Sequence, residues 1–132
     1  MQKPILLAAG GTGGHLFPAE ALAHELMARG YTPVLVTDKR AERFTAGFPA
    51  GGIHVVPSAT LASKNPVAVL RTAWTLFRGY RQSAKLIRQI RPLAAIGFGG
   101  YPTLPPMVAA TAAGVPGIVH EQNAILGRAN RL

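Results

Sequence analysis

Apolar positions along this chain fall into short unbroken runs separated by stretches of helical spacing. The runs cover about residues 3–9, 32–37, 53–56, 93–96 and 117–120, and each reads as a strand. After the first run, Ala19, Ala21, Leu22, Leu26 and Met27 recur at helical spacing. They predict a helix over about 17–29, with Pro18 as its first residue and Gly30 closing it. A short helical stretch is expected around 39–47, followed by a polar connection from Ser58 to Asn65. Asn65-Pro66 has the form of an N-cap and first helical residue, opening a long helix to about Arg91. A further helix is expected over about 103–113, ending at Gly114. Strands that are apolar throughout are buried on both faces. Their alternation with helices therefore predicts an α/β, Rossmann-like parallel sheet with helices on both faces.

Polar, glycine-bearing segments interrupt this pattern at strand ends. Gly10-Gly11-Thr12-Gly13-Gly14-His15 follows the first strand, Gly97-Phe98-Gly99-Gly100-Tyr101 the fourth, and His120-Glu121-Gln122-Asn123 the fifth. In open parallel sheets ligands bind beyond the carboxyl ends of the strands, so the topology should gather all three segments on one edge. Glycines between a strand and a helix let backbone N–H groups approach a ligand, and the helix N-terminus adds partial positive charge. That suits a diphosphate. The first loop departs from the dinucleotide fingerprint, because Leu16 stands where its third small residue belongs; Asp38 could still serve as the ribose-binding acid. No Gly-Lys-Ser/Thr follows, which excludes a Walker loop.

Composition narrows the classes. The 132 residues suffice for one domain with a real core, and there is no cysteine for a disulfide or thiolate metal site. Asp38 is the only aspartate and the five acidic residues include no close pair, which argues against a two-carboxylate glycosidase or an aspartate-held metal. The opening apolar run is too short for a signal peptide, and no stretch is long and apolar enough to span a bilayer. A formal net charge of +9 calls for an anionic partner: nucleic acid, anionic lipid or a phosphorylated substrate.

The three motifs, in this order and with Pro18 after the first, closely resemble the N-terminal half of the MurG family of peptidoglycan N-acetylglucosaminyltransferases. The resemblance covers essentially all 132 residues. It implies the acceptor half of a GT-B glycosyltransferase, two Rossmann-like domains facing across a cleft. Residues 1–132 would form the acceptor-binding domain, with the donor-binding domain absent and this piece inactive alone. The implied reaction is inverting transfer of N-acetylglucosamine from UDP-N-acetylglucosamine to lipid I, giving lipid II, with no cofactor and no metal.

Carried over motif by motif, Thr12, Gly13 and Gly14 match the loop that reaches the substrate, and Asn123 matches a residue near the donor sugar. Gly99, Gly100 and Tyr101 match the second glycine loop, expected near the acceptor diphosphate. His15 is the candidate base, since an imidazole can accept a proton at neutral pH; ordering the loop or orienting the acceptor is the alternative role. His24 and His54 read as surface or edge residues, and adjacent His120 and Glu121 need not pair, since neighbours on a strand face opposite sides.

The long helix carries two arcs. Val69, Ala73, Leu76, Tyr80, Ala84 and Ile87 share one, expected to face the sheet. Leu70, Trp74 and Phe77 lie on a second that the core does not need, with Arg71, Arg78 and Arg81 on or beside it. An apolar knob with a basic surround is the signature of a membrane-surface helix, and packing against another part of the protein is the alternative. The resemblance implies a peripheral enzyme at the cytoplasmic face of the bacterial inner membrane. Few aromatics interleave the basic residues, which disfavours nucleic acid. Two other classes stay open on residues alone: a non-catalytic diphosphate- or lipid-binding domain, and a nucleotide-dependent oxidoreductase module.

Overall fold

In the computed structural model, residues 3–10, 13–40, 48, 52–57 and 64–120 are described. Five strands form one parallel sheet in the order β3-β2-β1-β4-β5, with β1 Pro4–Ala8, β2 Thr32–Thr37, β3 Gly52–Val55, β4 Ala94–Gly97 and β5 Gly117–Val119. The helices are α1 Gly13–Ala28, α2 Pro66–Ile90 and α3 Leu104–Ala112, the last preceded by a 3-10 turn at Tyr101–Thr103.

Both faces of the sheet are covered, as the unbroken apolar strands require. Ile5, Leu7 and Leu35 pack with Leu16, Ala19 and Ala23 of α1 on one side. Leu6, Val34, Val36 and Ala95 pack with Leu86 and Ile87 of α2 and Ala109 and Ala110 of α3 on the other. Small residues on the covering helices let them lie close to the strands. The edges are different, for all of β5 and most of β3 are exposed.

Helix ends follow their local chemistry. Asn65 accepts from the Val67 N–H at 2.9 Å, with Pro66 opening α2. At the far end Arg91 takes a left-handed φ of 48° and donates to Ile87 O, and Pro92 forbids further helix. Gly30 closes α1 in the two-bond Schellman pattern, with Tyr31 N–H donating to Leu26 O and Gly30 N–H to Met27 O.

Two expectations are corrected. α1 begins at Gly13 rather than near 17, so Pro18 lies inside the helix at its sixth position. The glycine segment itself supplies the first turn, and the carbonyl that Pro18 leaves without its helical donor belongs to Gly14. Second, the arc of α2 meant to face the sheet does so only over its C-terminal half: Val69 and Ala73 are exposed, and burial begins at Gly79, Ser83, Leu86 and Ile87. The reason is length. A helix of 25 residues runs about 37 Å, whereas strands of 3–6 residues span roughly 10–20 Å, so the sheet cannot cover its first turns. The helix expected over about 103–113 is found as α3, Leu104–Ala112. The expected 39–47 helix falls mostly outside the described residues; Lys39 and Arg40 form a turn and Phe48 is buried in the core.

Gly79 marks where α2 meets the rest of the domain. A Cβ there would overlap the Pro57 carbonyl oxygen and press on the Pro105 ring. In an open helix Gly→Ala stabilises by about 1 kcal/mol. Here Gly79→Ala is expected to destabilise by about 2 kcal/mol, lowering the melting temperature by roughly 5–10 °C. An unchanged or raised melting temperature by calorimetry would show that the helix can back away from Pro57.

Candidate functional site

Strands β1 and β4 lie side by side in register, Ala8 opposite Gly97. From these neighbours the chain departs in opposite directions along the sheet, β1 toward β2 and β4 toward β5. Such a reversal leaves a crevice at the carboxyl ends, because the two connections diverge. Both glycine segments open into it, and their residues touch.

The central contact is a hydrogen bond of 3.0 Å between His15 Nδ1 and the Phe98 carbonyl oxygen. A carbonyl only accepts, so Nδ1 must donate. The neutral ring then carries its acceptor lone pair on Nε2. His15 sits half-buried in the first turn of α1, while Phe98 is fixed by its own N–H to Ala8 O at 3.0 Å and by a fully buried ring. The imidazole is thus held by two adjacent strand ends.

Gly100 closes over it. Its φ is +84°, which L side chains rarely adopt, and a Cβ would lie 3.4 Å from both Gly10 O and His15 Cδ2. Gly99, at φ 93°, also needs this geometry. Thr103 pins the turn by donating its N–H and its hydroxyl to Gly100 O, at 3.1 and 2.8 Å. At the base of the crevice, a Cβ on Gly10 would come within 2.9 Å of Asp38 Oδ1 and 3.0 Å of Thr37 Oγ1.

The third segment joins at its first residue. His120 N–H donates to Gly97 O at 2.8 Å, and its ring lies 5.3 Å from that of Phe98. His15, Gly99, Gly100 and the backbone of Tyr101 are therefore brought together, with Gly13 and Gly14 in the same helical turn as His15. Thr12, Glu121 and Asn123 lie outside the described residues. Asp38, a possible ribose ligand by sequence, is buried against Gly10 and accepts from Arg40 Nε at 2.8 Å. Leu16 is fully buried against the sheet, so a bulky side chain separates α1 from β1 where a dinucleotide fold has a small residue. Among the described residues no group of three His, Asp or Glu could hold a metal ion.

Sequence reasoning missed two parts of this site. Phe98 acts through its main-chain carbonyl, which no side-chain pattern reveals. Thr103, three residues after Gly100, was legible in principle as a hydroxyl bonding back to a turn carbonyl.

Away from the crevice, the first turns of α2 present Leu70, Trp74 and Phe77 at 71, 62 and 49% exposure. Trp74 and Phe77 have ring centroids 6.0 Å apart, and Arg71, Arg78 and Arg81 are exposed around them. No described helix is long and apolar enough to cross a membrane.

Comparison with known proteins places this geometry. The chain is 66% identical over 128 residues to a Rhizobium meliloti protein named UDP-N-acetylglucosamine--N-acetylmuramyl-(pentapeptide) pyrophosphoryl-undecaprenol N-acetylglucosamine transferase. It is 68% identical over 127 residues to a protein of the same name from Allorhizobium ampelinum. The matches cover 97 and 96% of this chain, which spans about a third of those relatives, 34% in each case. A crystal structure of Acinetobacter baumannii MurG superposes with a TM-score of 0.82 at 27% identity, covering 99% of this chain and 38% of that one. The Streptomyces glycosyltransferase SsfS6, at 16% identity and a TM-score of 0.66, shares the fold of a GT-B N-terminal domain, covering 91% of this chain and 38% of that one. Residues 5–132 match the model of the glycosyltransferase family 28 N-terminal domain, and the chain belongs to that family.

Proposed function

We propose that this chain is the acceptor-binding domain of an inverting glycosyltransferase that moves N-acetylglucosamine from UDP-N-acetylglucosamine to lipid I, forming lipid II. The observation that carries the reading is the His15–Phe98 hydrogen bond, which holds a basic ring nitrogen at the mouth of two touching glycine loops. The names of the relatives at 66 and 68% identity support the substrates. Their greater length supports a second domain as the main holder of the donor nucleotide.

In this reading the second glycine loop receives the acceptor diphosphate and the α1 N-terminus faces the sugars. The 4-hydroxyl of the N-acetylmuramyl sugar attacks the anomeric carbon from the face opposite the diphosphate. The C–O bond to UDP breaks, UDP leaves with the electron pair, and configuration inverts. The hydroxyl proton passes to His15 Nε2. The Nδ1–H bond to Phe98 persists in the imidazolium, so the ring gains charge without losing its anchor.

The apolar arc of α2 and its arginines then serve as a reversible attachment to an anionic bilayer, at the cytoplasmic face of the inner membrane where a nucleotide sugar is available. Nucleic acid is not a partner in this reading.

Three outcomes are expected. A chimera joining these 132 residues to the remaining two thirds of the R. meliloti relative should release UDP in the presence of acceptor, whereas the chain alone should not. Turnover by the chain alone would place a complete donor site within it. In the chimera, His15→Ala should lower kcat by about 10²-fold or more with a smaller change in KM, and Gly100→Ala should lower it too by straining the turn at φ +84° that packs against the ring. An effect confined to acceptor KM would make His15 an orienting residue. With anionic vesicles the fluorescence of Trp74, the only tryptophan, should shift blue, less so at high salt and hardly with neutral lipid. Trp74→Ser with Phe77→Ser should abolish binding without loss of fold; unfolding would mark the arc as a packing surface.

A further inference from the structure

An open groove of about 830 Å³ lies between α2, α3 and the ends of β4 and β5. That is within the range of small-molecule sites, roughly 300–1,000 Å³. Its walls are Leu76, Phe77 and Tyr80 of α2 and Leu104, Met107 and Val108 of α3. Gly97 and Gly117 contribute no side chain, and Met107 lies over both. Methionine can repack around an irregular apolar guest.

The chemistry of the groove is one-sided. Among the described residues no charged one lines it. Its two threonine hydroxyls already donate within the domain, Thr103 to Gly100 O at 2.8 Å and Thr111 to Met107 O at 2.9 Å. A sugar or a base would find little to hydrogen-bond. Yet Phe77, Val108 and Val119 are each about half exposed, at 49, 53 and 51%. Apolar surface gathered into a groove marks a binding site more often than a bare surface does.

Its position identifies the guest. Gly97 and Thr103, both in the lining, bracket the second glycine loop. Phe77, also in the lining, belongs to the exposed Leu70–Trp74–Phe77 arc. The groove therefore connects the proposed diphosphate cradle to the proposed membrane-facing arc. We propose that it takes an isoprenoid chain, namely the units of the acceptor lipid next to the diphosphate, and draws them out of the bilayer as the headgroup reaches the crevice. This rests on the reading of the second glycine loop as the acceptor-diphosphate site.

Equilibrium dialysis of the 132-residue chain tests it, using inorganic diphosphate, isopentenyl diphosphate and farnesyl diphosphate below its micellar concentration. Farnesyl diphosphate should bind at least about tenfold more tightly than the five-carbon compound, since burial of ten further carbons is favourable even when incomplete. Val108→Trp fills the groove and Val108→Asp charges it, both from a half-exposed position on α3. Each should remove most of the chain-length gain and leave inorganic diphosphate binding unchanged. If either variant melts early, Ala112→Phe fills the groove from the exposed end of α3 and is read in the same way. Equal binding of all three compounds overturns the groove and spares the diphosphate reading. No binding of any overturns both. A chain-length gain that survives the variants places the lipid elsewhere. A gain seen in the isolated chain but lost in the chimera shows that polypeptide, not lipid, covers the groove.

Discussion

The hydrogen bond from His15 to the Phe98 carbonyl joins two loops that are 83 residues apart in sequence. It forms only because β1 and β4 are neighbours, and they are neighbours only because the chain crosses the sheet after β3. Each partner is anchored independently: Phe98 by its buried ring and its N–H to Ala8, His15 by the helix it opens. A bond between two rigid supports costs little further ordering, unlike one between mobile side chains. The glycines around it follow from the same constraint. At Gly10 a Cβ would crowd Asp38 and Thr37 at the neighbouring strand end, and at Gly100 the positive φ is one that L side chains rarely adopt.

Much of this was legible in the sequence. The five apolar runs mapped onto five parallel strands with ends shifted by at most one residue, because burial on both faces leaves a continuous signal. Asn65-Pro66, Gly30 and Gly114 announced helix ends, since capping is decided within a few residues. What failed were features set by tertiary geometry. Periodicity gave α2 an inward arc along its whole length, but a periodic pattern cannot know where the sheet stops. Proline statistics placed the start of α1 at Pro18, while the structure begins it at Gly13, because glycines can form a first turn that propensity disfavours. The crevice itself was foreseeable in outline from two glycine-rich strand ends and a third, polar one. That its central contact would use a main-chain carbonyl was not, because backbone groups carry no sequence signature.

The overhanging part of α2 links the fold to its surroundings. Only the C-terminal half of this helix is needed for the core, as Gly79, Ser83, Leu86 and Ile87 show by their burial. The first turns are capped by Asn65 and, among the described residues, none of theirs is fully buried before Gly79. Exposing Leu70, Trp74 and Phe77 there forgoes burial worth roughly 1.5–3 kcal/mol for each such side chain. A sequence selected for stability alone would place polar residues at these positions. The place of these apolar side chains beside Arg71, Arg78 and Arg81 is what the proposed partner, apolar and anionic together, would use.

Charge and apolar surface act over different distances, which gives the two features separate roles. A net charge of +9 acts over about 8 Å at physiological ionic strength and can bring the domain to an anionic surface in many orientations. Apolar contact acts only at van der Waals range, so it selects among those orientations. The selecting residues are few: Trp74 and Phe77 lie in the N-terminal half of α2, and Phe77 also borders the groove that runs beside Gly97 and Thr103. In the proposed function, seating this arc on a bilayer would fix the groove against the lipid. The rigidity of β4, α3 and the Thr103-pinned turn then fixes the crevice relative to the groove. Under the proposed function, a lipid-linked acceptor would then be reached without moving any of these elements, because one stiff helix would carry the membrane contact and one strand end the chemistry.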